Sequence, residues 1–270
     1  MGKFSGILLC TDLDETLLDS KKQVSEQNKN AIEYFKQNGG MFTFITGRTP
    51  LGIPHIIDMV RPNAPIGCLN GGAIYDAEKN VNIMEKELDR SHVEILEMLD
   101  RDFPSAGIEV IAHDKCWFCK SNELVNQHRS VELLPDNRCD YHNVPGKLAK
   151  VLIIDEPHVI DKIIPAILAH PKAADFDFVR STKNYYEILP PDSNKGNLLV
   201  QIADILGIDI ANTVAVGDNE NDISMIKAAG TGYAVANAVE QAKAAADRIT
   251  VSYNDSAIAR IIEDIENSIL

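Results

Sequence analysis

The chain has 270 residues, 45% hydrophobic and 24% charged, which is ordinary for a soluble globular protein and long enough for one or two domains. Its formal net charge of −14 argues against a general nucleic-acid binder, and it repels phosphate-bearing ligands at long range unless local cations intervene. No apolar segment has spanning length, and residues 1–6 lack a signal-peptide apolar region and the Ser/Thr of a myristoylation site, so a cytoplasmic protein with no membrane partner is expected.

In chain order, the first strong signal is Ile7-Leu8-Leu9-Cys10-Thr11-Asp12-Leu13-Asp14-Glu15-Thr16-Leu17-Leu18. Its apolar start reads as a buried parallel strand, and the strand ends in two carboxylates. An unpaired charge in low dielectric costs several kcal/mol, so something must neutralise them. Residues i and i+2 of an extended chain project to one side, so Asp12 and Asp14 can face one point beyond the strand tip. In open α/β sheets ligands bind there. A hard cation such as Mg²⁺ resolves the charge problem, because it takes oxygen ligands and tolerates a phosphate as a further one.

Ser25 then reads as the N-cap of a helix through Gln37, closed by Gly39-Gly40. Met41-Phe42-Thr43-Phe44-Ile45-Thr46-Gly47-Arg48 is a second buried strand, ending in a hydroxyl, a glycine and a cation. Pro50 opens a short helix, and residues 66–69 read as a third strand. From about 85 to 187, helical stretches (91–101, 157–170) mix with strand-like ones (108–112, 151–155, 185–189), and Pro190-Pro191 stiffens the return. Asn194-Lys195-Gly196 opens a helix over 197–206. Thr213-Val214-Ala215-Val216-Gly217-Asp218-Asn219-Glu220-Asn221-Asp222 is another buried strand, ending in acids and amides. Strands over 232–236 and 248–251 and a helix over 256–266 complete an alternation that predicts an α/β fold with a parallel sheet. Strand tips carrying Asp, Thr and Asp, plus a lysine, are the parts that phosphoryl transfer through an aspartyl-phosphate needs.

The pattern D-x-D-x-T-L-L from Asp12, T-G-R from Thr46, K-G at Lys195 and G-D-x-x-N-D-x-x-M from Gly217 resembles the haloacid-dehalogenase-like superfamily of phosphatases. The last motif and Asn70-Gly71-Gly72-Ala73 resemble its Cof-like branch. The resemblance covers about residues 5–265, although the middle third matches only in length and position. Glu15 stands where relatives usually have Gly, a departure at a non-catalytic position that bears on the local turn. The resemblance implies a Rossmann-like parallel-sheet core over 1–84 and 188–270 with an inserted α/β cap over 85–187. That cap is either a hinged lid, which would exclude water on closure, or a rigid second domain.

In this scheme Asp12 is the candidate nucleophile, and Asp14 protonates the leaving alcohol and then deprotonates the attacking water. Mg²⁺ would be held by Asp12, the Asp14 carbonyl and Asp218. Asp222 either orients a metal-bound water or serves as helix N-terminal charge. Lys195 would neutralise the nucleophile and the phosphoryl group, while the Thr46 hydroxyl, the Gly47 and Leu13 amides and Asn221 would donate to phosphate oxygens. Arg48 either holds substrate or pairs with a nearby carboxylate. Asp14 distinguishes phosphate-ester chemistry within the family, since pump-type relatives carry Thr there and dehalogenases lack this second Asp. The expected function is hydrolysis of small phosphomonoesters such as sugar phosphates, with a phosphomutase or a non-catalytic phospho-ligand sensor as alternatives. Trp117, Phe118, Tyr185 and Tyr186 either line a substrate pocket or pack as strand aromatics.

The five cysteines leave one further possibility. Cys116, Cys119, Cys139 and His142 have passable zinc-ligand spacing, but a strand over 116–120 would send Cys116 and Cys119 to opposite faces. Cys10 and Cys68 sit in apolar runs as small core residues, which suits a reducing compartment.

Overall fold

A computed structural model describes residues 2–269. The chain divides into two compact units, one of residues 1–47, 53–84 and 194–270 and one of residues 48–52 and 85–193.

The first unit begins with β1 (Leu8–Thr11), α1 (Glu26–Gln37), β2 (Met41–Phe44), α2 (Pro54–Val60), β3 (Ile66–Cys68), β4 (Ala73–Asp76) and β5 (Val81–Glu85). The second contains α3 (His92–Asp102), β6 (Gly107–Ala112), β7 (Cys116–Lys120), α4 (Glu123–Val131), β8 (Leu148–Ile154), α5 (Pro157–Leu168), β9 (Asp177–Thr182) and β10 (Tyr185–Leu189). The chain then returns through α6 (Lys195–Leu206), β11 (Thr213–Gly217), α7 (Ile223–Ala228), β12 (Thr231–Ala234), α8 (Glu240–Ala245), β13 (Arg248–Ile249) and α9 (Ala257–Ile269).

The core sheet runs β13-β12-β11-β1-β2, with every neighbouring pair parallel. Residues of β1 and β11 are buried without exception, as continuous apolar strands covered on both faces should be. Leu8 and Cys10 join Leu198, Leu199 and Ile202 of α6 in one apolar cluster. On α1, Ser25 accepts from the Asn28 N–H as the N-cap, and the buried Asn28 side chain in turn accepts from the Ala259 N–H of α9 at 2.9 Å. Because β1, β2 and β11 are parallel neighbours, Asp12, Thr46 and Asp218 all follow strands at the same edge of the sheet.

The strand read over 66–69 does form, over Ile66–Cys68, but it leaves the parallel sheet. It pairs antiparallel with β4 in a separate β3-β4-β5 sheet and keeps a single parallel bridge, Ile45 to Gly67, with the region after β2. The cause is local. Leu69, Asn70 and Gly71 all have positive φ, so the chain reverses within the four residues 69–72 and leaves no room for a crossover helix.

The second unit carries an antiparallel sheet in the order β7-β6-β8-β10-β9. It includes all of β10, Ile188 and Leu189 among its residues, and continues to Ser193. One face packs Val110, Val151, Ile153 and Ile188 with α3 and α5 residues such as Leu99 and Ile163. The other face is polar despite its burial. Glu109 and Glu187 both sit opposite Leu152, and Lys150 pairs with Glu187 at 2.7 Å. Glu109 meets His128 of α4 at 3.0 Å, and burial of His128, opposed by this carboxylate, leaves its pKa above the usual value. Trp117 packs on the apolar cluster, and Tyr186 is buried and stacked on Phe178 at 5.8 Å, which is the packing role for these aromatics. No helix among the described residues is long and apolar enough to cross a membrane.

Candidate active site

Lys195 is the centre of the arrangement. It begins α6, is fully buried, and places Nζ 2.5 Å from Asp12 Oδ1 and 2.6 Å from Asp222 Oδ1. Burial lowers an ammonium's pKa, but the two carboxylates together more than offset it and hold the Lys195 pKa above its ordinary range. The K-G step explains how α6 comes this close. A Cβ on Gly196 would lie 2.5 Å from the Ser224 carbonyl, so only glycine lets the start of α6 pack on α7. Asn194 caps the same helix by accepting from the Asn197 N–H at 2.8 Å.

Asp12 continues β1, and its N–H donates to the Val216 carbonyl at 2.9 Å, which fixes the backbone beside β11. Asp218 follows β11 and accepts from the Thr16 hydroxyl at 3.2 Å. Asp222 uses both oxygens. Oδ1 takes Lys195, and Oδ2 accepts from the Asp218 and Asn219 backbone N–H groups at 2.9 and 3.0 Å. Asp12, Asp218 and Asp222 each offer an oxygen within 4.8 Å of the others, and among the described residues no other set of three or more His, Cys, Asp or Glu side chains gathers so closely.

Three buried carboxylates against one ammonium leave the cluster short of positive charge. Proton affinity records this imbalance. Burial pushes Asp12 up to about 7, with Lys195 opposing and Asp222 adding to the rise. Burial pushes Asp218 up to about 9, with Asp222 and Asp12 adding to the rise. A group of oxygen donors this close and this proton-hungry fits a hard divalent cation. Asp12 and Asp218 are the better candidates to hold it, because Asp222 is committed to Lys195 and the two amides.

Asp14 lies apart from this cluster, with its side chain over one-third exposed and its carboxylate 2.8 Å from Lys22 Nζ. Between them the chain turns tightly, and the Leu13 carbonyl accepts from the N–H groups of Thr16, Leu17 and Leu18. Glu15 occupies this turn with φ 59, the left-handed region that favours glycine. Glu15→Gly should remove strain of about 1–2 kcal/mol, but glycine's freer unfolded chain returns about 0.5–1 kcal/mol. Net stabilisation of at most about 1.5 kcal/mol with retained activity is expected in denaturant melts; a marked loss of stability would mean that the Glu15 side chain holds the turn.

Thr46 is buried at the end of the β2 segment. Its N–H donates to the Gly67 carbonyl at 2.9 Å, and its carbonyl accepts from the Asn70 N–H at 3.1 Å. Asn221 donates to Asn70 Oδ1 at 3.2 Å. Arg48 belongs to the second unit, where its guanidinium lies 3.0 Å from Glu132 Oε1, so it does pair with a carboxylate. Among the described residues, Cys116, Cys119, Cys139 and His142 do not gather as a metal-holding group. The cysteines are free, and both His142 ring nitrogens are engaged, with Asp140 at 2.6 Å and Glu97 at 3.2 Å.

The sequence profile of the haloacid dehalogenase-like hydrolases matches residues 9–262. The chain belongs to that family. Among its similar proteins is a provisionally named phosphatase of Streptococcus pyogenes serotype M6, 28% identical over 94% of this chain and 96% of the relative. Another is the 5-amino-6-(5-phospho-D-ribitylamino)uracil phosphatase YwtE of Bacillus subtilis, 26% identical over 95% and 97%. Among solved structures, a haloacid dehalogenase-like hydrolase from Bacteroides thetaiotaomicron superposes with a TM-score of 0.82 at 25% identity, covering 96% of this chain and 99% of that one. This hydrolase therefore shares its fold, including a parallel-sheet core, with full-length members of the family.

Two residues near the cluster carried little weight in the sequence. Asp222 has the signature of a helix N-cap acid, which hides its contact with Lys195. Asn70 gave only the Asn-Gly-Gly sign of a tight turn.

Proposed function

We propose that the protein is a Mg²⁺-dependent phosphatase of small phosphomonoesters, sugar phosphates among them, acting through an aspartyl-phosphate on Asp12. The observation that carries this reading is Lys195, buried against Asp12 and Asp222 beside Asp218. A fixed ammonium orients the Asp12 carboxylate for attack and offsets charge gathering on the phosphoryl group. The phosphatase names of the relatives, one of which acts on a phosphorylated ribitylaminouracil, support a small phosphorylated substrate. In this reading the first unit is the catalytic core and the second is the inserted cap that supplies selectivity. Free cysteines throughout support a reducing, cytoplasmic compartment.

Asp12 attacks phosphorus in line, forming an O–P bond as the bond to the alcohol oxygen breaks. Asp14, once released from its contact with Lys22, would give that oxygen its proton. Asp14 then takes a proton from a water whose oxygen bonds to phosphorus, the aspartyl O–P bond breaks, and inorganic phosphate leaves with Asp12 restored. Thr46, the Gly47 and Leu13 amides and Asn221 would hold the phosphate oxygens throughout. Asp12, Asp218 and the Asp14 carbonyl would hold Mg²⁺, whose charge when bound lets a phosphate dianion approach the carboxylates.

Inorganic phosphate release from a panel of phosphorylated metabolites, with and without EDTA, tests the reading. Release that needs Mg²⁺ and stops on chelation is expected. Undiminished turnover after exhaustive chelation overturns the metal assignment, and isomerised sugar phosphate formed faster than free phosphate favours a mutase.

A further inference from the structure

Among the described residues, the buried polar atoms that find no protein partner include Asn70 Nδ2 and Asn221 Oδ1. Buried amide donors are nearly always satisfied, so such an orphan in a native protein calls for a ligand or a water. Asn70 is only 1% exposed, which keeps bulk solvent from it.

The residue is held firmly. Its N–H donates to the Thr46 carbonyl, and its Oδ1 accepts from Asn221 Nδ2. Leu69 and Asn70 both adopt left-handed backbone, with φ 60 and φ 51. Two successive non-glycine residues in that region are strained, and strain of this kind gathers where a side chain must be aimed. The target of that aim is visible at Gly47, where a Cβ would stand 2.9 Å from Asn70 Nδ2. The amide thus fills the space against Gly47 that any side chain would need. Its neighbours Thr46, Gly47 and Asn221 are the residues read above as donors to phosphate.

We propose that Asn70 Nδ2 donates to an oxygen of the bound phosphoryl group, while Asn70 Oδ1 holds Asn221 in place to do the same. This rests on the phosphatase reading and adds to it a donor from the β3–β4 turn. A neutral amide suits the task, because it satisfies an oxyanion without drawing the nearby carboxylates into an ion pair.

The test compares Asn70→Asp, Asn70→Gly, Asn221→Ala and the Asn70→Gly/Asn221→Ala pair in the full chain with Mg²⁺. Asp keeps the shape of Asn, and Gly accepts the left-handed backbone, so at least one variant should keep the fold. Asn70→Asp should lower kcat/KM for p-nitrophenyl phosphate about 10²-fold and weaken inhibition by inorganic phosphate at least about 10-fold. Asn70→Gly should lose about 10-fold in both, and the double variant should be worse than Asn221→Ala alone. Unchanged phosphate inhibition in the two Asn70 variants overturns the proposal, as does a double variant no worse than Asn221→Ala. If the parent shows no Mg²⁺-dependent phosphate release, the phosphatase reading fails. Calorimetric titration of inorganic phosphate into the parent and Asn70→Asp then decides the Asn70 contact by itself, with equal binding refuting it.

Discussion

Asp12→Asn is expected to lower kcat by about 10³-fold or more while the protein stays folded. The amide keeps the size and shape of the carboxylate but is a poor nucleophile, so the covalent step is lost. Stability should survive because Lys195 keeps its second partner, Asp222, 2.6 Å away. Losing one of three crowded carboxylates also relieves repulsion on Asp218, whose proton affinity Asp12 helps to raise. Release of phosphate by the purified variant, alongside its thermal melt, checks both halves. A folded Asp12→Asn protein that hydrolyses p-nitrophenyl phosphate near the parent rate removes Asp12 from the chemistry.

The geometry around Lys195 explains which parts of the site could be read from the chain alone. A buried apolar strand that ends in acid is a local contradiction, and it drew attention to Asp12 and Asp218 without any knowledge of their neighbours. The K-G step was legible only in company, since a lysine opening the helix over 195–206 gains meaning from the acid-tipped strands around it in the chain. Asp222 was harder, because capping a helix is a sufficient reason for an aspartate there, and the contact with Lys195 joins residues far apart in sequence. The parallel core was legible from alternating strand and helix signals, and the TM-score of 0.82 to a family member agrees with it. The β3–β4 hairpin was only partly legible: Asn70-Gly71-Gly72 marks a tight turn, but Leu69 carries no sequence sign of the positive φ it adopts. The polar face of the second unit's sheet was hidden too. Glu109, Lys150 and Glu187 come together only through antiparallel register, which one strand's pattern cannot reveal.

The cluster's unbalanced charge makes its second large effect one of pH. Asp12 and Asp218 ionise at about 7 and about 9 in the folded protein, against an ordinary value of 3.8 in the unfolded chain. Raised folded values mean that the native state keeps protons the unfolded chain has lost. The stability these groups allow is therefore intact below about pH 4 and is lost as pH rises through about 7 and then about 9. Asp218→Asn removes the larger of the two losses. In the metal-free protein at pH 8 it should raise Tm by roughly 2–8 °C, corresponding to about 1–2 kcal/mol. The gap between variant and parent should widen from pH 5 to pH 9, since only the parent pays to ionise. Adding Mg²⁺ should narrow the gap, because the cation replaces the missing protons in the parent and finds one ligand fewer in the variant. Thermal melts across this pH range, with EDTA and with Mg²⁺, measure both trends. A gap that stays constant or shrinks as pH rises would show that Asp218 is already ionised in the metal-free fold, and that the cluster's charge is balanced without a cation.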